Sequence, residues 1–78
     1  MPKLPRDCGA KQISALLENY GYTVVRQRGS HLRLHSELHN HSVTVPNHEP
    51  IKVGTLSAIL TEVAGILNIE KDELTRHL

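Results

Sequence analysis

A chain of 78 residues has room for one domain, and with 38% hydrophobic residues but no Phe or Trp its core must be aliphatic. Nine basic against eight acidic side chains leave a net charge of +1, so bulk charge gives no argument for nucleic acid, and two tyrosines cannot build a platform for stacking bases. A single cysteine excludes an internal disulfide and makes a reducing compartment the expectation.

Residues 1–7 hold two prolines and two basic residues and read as an extended arm. The arm lacks the apolar region of a signal peptide, and no later stretch reaches membrane-spanning length, so a cytoplasmic location without membrane contact is expected. A helix is predicted from Gly9 to Tyr20, because Ile13, Leu16, Leu17 and Tyr20 fall on one face. Asp7 or its neighbours would cap its start, and Gly21 suits the left-handed residue that follows a helix.

Three strands are predicted next. Tyr22 to Arg26 is apolar and β-branched, and Gln27 to Ser30 is a turn in which Gly29 can take positive φ. His31 to His35 alternates, which points Leu32 and Leu34 to the core and puts His31, Arg33 and His35 on the other face. Ser36 to Asn40 reads as a polar loop, and Ser42 to Val45 alternates again before Pro46. The spacing favours an antiparallel meander.

After a loop from Asn47 to Val53, Gly54-Thr55 opens a second helix with Thr55 as its N-cap. Leu56, Ile59, Leu60 and Val63 make its apolar stripe, which Gly65 interrupts. Asn68 caps a short last helix from about Ile69 to His77. One domain over residues 1–78, of α+β class, is expected: helices on one side of a sheet whose polar face stays open.

The most informative stretch runs from Val24 to His31, where a histidine opens a strand just past a glycine turn and arginines flank it. Together with its neighbours this stretch resembles the HicA-type toxins, also described as YcfA-like. The matching pieces are the Met-Pro-Lys-Leu-Pro opening, Tyr20-Gly21-Tyr22, and Arg26-Gln27-Arg28-Gly29-Ser30-His31. Val43-Thr44-Val45-Pro46, His48, Gly54-Thr55-Leu56 and Ile59-Leu60 complete the match. The resemblance implies a fold like the double-stranded RNA-binding domain, cleavage of mRNA, and neutralisation by a HicB-type antitoxin. It also implies that His31, in the Gly-Ser-His motif, is catalytic. Glu49 and Pro50, where relatives often carry Gly and more lysines, and the histidines at 35, 39 and 41 depart from the usual pattern, which bears on substrate preference.

Such chemistry needs little apparatus. RNA carries its own nucleophile in the 2′-hydroxyl, a positioned imidazole moves a proton, and arginines neutralise phosphate charge. Arg28, Ser30 and Arg33 are the candidate substrate contacts, against the plainer readings of a solvated sheet face and a turn-shaping serine. The functional stretch has no carboxylate cluster for two-metal hydrolysis, so no metal or other cofactor is expected. His35, His39 and His41 could chelate zinc but read better as a polar hairpin. His48 stands open as a second acid or base, capping outweighs phosphate binding for Lys52, Gly54 and Thr55, and Cys8 reads as passive. The rival readings are a non-catalytic RNA-binding or regulatory module of the same fold and a protein-interaction domain. The free protein is expected to be monomeric.

Overall fold

The computed structural model describes residues 4–78, so the first three residues of the N-terminal arm lie outside it. Helix α1 spans Ala10–Glu18, strands β1, β2 and β3 span Thr23–Arg28, His31–Ser36 and His41–Pro46, and helices α2 and α3 span Val53–Leu67 and Lys71–Arg76. The strands form one antiparallel sheet in the order β1-β2-β3. Leu34, Val43 and Val45 turn inward from it and are buried with Ile13, Leu16 and Leu17 of α1 and Leu56, Ile59, Leu60 and Val63 of α2. Each set recurs at its element's own period, two in the strands and about 3.6 in the helices, so helices and sheet share one aliphatic core. The α+β sandwich expected from the sequence is what forms.

Local chemistry moves several boundaries. Gly9, not Asp7, is the N-cap of α1, and its N–H donates to Gln12 Oε1 at 3.3 Å. Gly21 does take the left-handed conformation, with φ of +95°, while Tyr22 N–H returns to the Leu17 carbonyl at 3.0 Å. The first turn shrinks to Gly29 and Ser30, because Gln27 and Arg28 still pair with Leu32 and His31. Gly29 at φ +57° is the residue such a two-residue hairpin requires.

Thr55 is not the cap of α2. Ile51 is buried and its N–H bonds the Cys8 carbonyl at 2.8 Å, so the helix starts from that anchor, with Lys52 as N-cap and Thr55 inside the first turn. Gly65, which breaks the apolar stripe, leaves the helix itself unbroken. It is exposed, and the buried residues on either side, Leu56 to Ala64 and then half-buried Leu67, outweigh the roughly 0.5–1 kcal/mol that a helical glycine costs. Asn68, expected to start the last helix, instead ends α2 in the left-handed conformation at φ +57°, and Glu70 precedes α3. Lys71 Nζ bonding Ser57 Oγ, and Tyr20 hydroxyl donating to Glu73 Oε2 at 3.3 Å, tie α3 to the other helices.

Candidate active site

The pairing of β1 with β2 shifts register between Val24 and Arg26. Strict alternation along β1 would place Arg26 and Arg28 with Val24, toward the helices. The extra residue, Val25, resets the phase, and Arg26 then lies opposite Arg33 and Arg28 opposite His31. Cross-strand partners share a face, as do residues two apart. Arg26, Arg28, His31 and Arg33 therefore stand together on the open face, with Thr44 opposite Arg33 on the next strand. All four side chains are exposed.

His31 also lines a cleft of about 510 Å³ at the end of the sheet, together with Pro46, His48, Glu49, Pro50, Ile51, Lys52 and Thr55. The loop that carries His48 is pinned by backbone bonds on both sides. Asn47 N–H donates to the Ser30 carbonyl at 2.7 Å, Ala10 N–H donates to the His48 carbonyl at 3.1 Å, and Ile51 N–H donates to the Cys8 carbonyl at 2.8 Å. The first of these joins the loop to the turn that immediately precedes His31. Lys52 brings an ammonium to the cleft, and the first turn of α2 opens there without a side-chain cap.

Arg28, Ser30 and Arg33 do not line this cleft; they lie beside it, on the sheet face and in the turn. Glu49, read from the sequence only as a departure from the usual pattern, is the one carboxylate that does line it. Its side chain fills the space over Gly9, where an added Cβ would sit 1.5 Å from Oε2. Gly9 is the signal that a side chain packs there, although nothing in the sequence says which. Cys8 is fully buried, and burial first, then the charges of Asp7 and Glu49, hold its thiol above its ordinary range, which disfavours the thiolate.

The hairpin histidines have separate duties. His41 Nδ1 bonds the hydroxyl of buried Tyr22 at 2.7 Å and its Nε2 bonds Glu62 Oε2 at 2.8 Å, while His35 Nδ1 bonds Ser42 Oγ at 2.7 Å. Among the described residues, no three His, Cys, Asp or Glu side chains converge as a metal site would need.

Residues 10–66 match the family described as the HicA toxin of bacterial toxin–antitoxin systems. The chain belongs to the HicA toxin family. That match covers α1, the whole sheet and nearly all of α2, and so includes both the arginine face and the cleft. As a HicA toxin it acts within a toxin–antitoxin pair. Comparison with curated proteins and with solved structures finds no match. No helix among the described residues is long and apolar enough to cross a membrane.

Proposed function

We propose that this HicA toxin is a metal-independent endoribonuclease that cleaves mRNA, with His31 as general acid or base. Arg28 and Arg33 hold backbone phosphates on the open sheet face, and Ser30 contacts the substrate from the turn. The observation that carries the reading is the position of His31, exposed where the arginine face runs into the cleft. The 2′-oxygen bonds the adjacent phosphorus, the bond from phosphorus to the 5′-oxygen breaks, and the proton lost by one oxygen is matched by one gained at the other. The products are a 2′,3′-cyclic phosphate and a 5′-hydroxyl. A HicB-type antitoxin neutralises the toxin by covering the same face.

Removal of the imidazole tests this directly. His31→Ala should lower cleavage about 10²- to 10⁴-fold, the usual contribution of a positioned acid or base. Its melting temperature should barely move, since an exposed substitution of this kind costs within about 0.5 kcal/mol. Cleavage by the wild type should survive EDTA and leave cyclic or 3′-phosphate ends. Wild-type activity in folded His31→Ala, or EDTA-sensitive cleavage that leaves 3′-hydroxyl ends, refutes the reading. RNA binding without cleavage by the wild type would instead make the protein a binding module.

A further inference from the structure

We propose that His48 is the second proton-transfer group of the same site, paired with His31 in the cleft that both line, an inference that rests on the ribonuclease reading above. Transesterification of RNA moves two protons, one from the 2′-hydroxyl and one to the departing 5′-oxygen. In an in-line displacement those oxygens lie on opposite sides of phosphorus, so a single fixed imidazole reaches only one of them. Two imidazoles in one cleft can meet both requirements, and His31, at the start of β2, and His48, in the loop after β3, line the same cleft from different elements. Its volume of about 510 Å³ falls within the roughly 300–1,000 Å³ of ordinary ligand clefts. A phosphodiester and its flanking sugars are of that order.

The fold holds His48 in place by its backbone. Its carbonyl accepts from Ala10 N–H, its neighbour Asn47 bonds the Ser30 carbonyl, and the ring remains exposed. A loop fastened by backbone bonds on both sides of an exposed imidazole is the arrangement a catalytic group needs. Lys52, which lines the same cleft, supplies positive charge toward the phosphorane as it forms. In the first half of the reaction one imidazole accepts the 2′-hydroxyl proton while the other, as imidazolium, donates to the 5′-oxygen. The pair ends with its protons exchanged.

Because the ring takes no part in those backbone bonds, His48→Ala should stay folded; His48→Gln provides a second variant if it does not. Cleavage of a defined RNA by His48→Ala should fall about 10²-fold or more, with its Kd for an uncleavable 2′-O-methyl RNA unchanged. The bell-shaped pH profile of kcat in the wild type should lose one limb in His48→Ala and the opposite limb in His31→Ala. Sulfur in place of the 5′-bridging oxygen at the mapped cleavage site makes a leaving group that needs no proton. It should restore cleavage in one of the two variants and not the other, and thereby identify the acid. A His48→Ala protein with wild-type kcat, or with a loss confined to Kd, overturns the pairing while His31 keeps its role. So does sulfur that rescues both variants or neither. A fully active His31→Ala would overturn the ribonuclease reading itself.

Discussion

Tyr22→Phe removes one oxygen from the far end of the sheet and separates the histidine that ties the fold together from those that line the cleft. Tyr22 is fully buried, its hydroxyl lies 2.7 Å from His41 Nδ1, and the two rings meet edge to face at 87°. His41 is itself only 16% exposed and passes the contact on to Glu62 of α2. The hydroxyl thus joins the chain just before β1 to the start of β3 and to a helix. Its loss forfeits a hydrogen bond worth about 0.5–1.5 kcal/mol and leaves a largely buried ring nitrogen without a partner, for a total near 1–2 kcal/mol. In a domain of this size each kcal/mol moves the melting temperature by about 4–8 °C, so a drop of about 5–15 °C is expected. Glu62→Gln should cost less, because its carboxylate is 54% exposed and surface pairs contribute about 0–1 kcal/mol. Activity should not follow stability. His41 pairs with Ser36 and Pro46 with His31, at opposite ends of six-residue strands, a separation of roughly 16 Å at about 3.3 Å per residue. Thermal melts and initial cleavage rates, both taken well below the transition, check the two halves. An unchanged melting temperature would remove the structural role of the Tyr22–His41–Glu62 chain. Slower cleavage by the folded variant would show that the two ends of the sheet are coupled.

Arg33→Glu should weaken RNA cleavage and antitoxin binding together, and added salt should slow association of the wild-type pair more than it changes dissociation, because charge complementarity acts mainly on encounter. Antitoxin affinity and salt dependence that stay intact while cleavage falls would place inhibition on the helical side. On the alkaline side, burial followed by Asp7 and Glu49 holds the Cys8 thiol above its ordinary 9.0, and burial followed by Glu62 holds the Tyr22 hydroxyl above 10.0. The unfolded chain releases these protons first, so their contribution to stability is whole below about pH 9 and is lost as pH rises through the folded values. Urea melts across that range should show the decline, with a smaller one in Cys8→Ala; identical slopes for the two proteins would refute the assignment.

Periodicity made the core legible. Ile13, Leu16 and Leu17, then Leu56, Ile59, Leu60 and Val63, are buried as their spacing requires, and so are Leu34, Val43 and Val45. The boundaries were less legible because tertiary anchors compete with local capping preferences. Thr55 is a good N-cap by residue type, yet the bond from Ile51 to the Cys8 carbonyl starts α2 earlier. Asn68 can either open one helix or close another, and its position beyond Leu67 lets it close α2 by turning left-handed. Tyr20 belongs to the apolar stripe of α1 but lies past the helix end, where it packs half-buried against the core and meets Glu73.

The candidate site could be named from the sequence as residues but not as an arrangement, and the reason lies in β1. Read alone, Val24-Val25-Arg26-Gln27-Arg28 alternates so that both arginines turn inward with Val24, a placement an edge strand over an aliphatic core would resist. The conflict is resolved by pairing with β2, through a bulge at Val25 that no local propensity announces. The bulge leaves Val25 56% exposed and turns Arg26 and Arg28 to the face that carries His31 and Arg33. Exposure of one valine therefore accompanies a continuous basic face beside the cleft. The same dependence on distant pairing hid the place of His48. Nothing in Asn47-His48-Glu49-Pro50 specifies that the loop returns to the Ser30 carbonyl on one side and to residues 8–10 on the other. Those bonds hold the loop in the cleft that His31 also lines, so the hairpin turn and the loop after β3 must be correct together for the two histidines to share it.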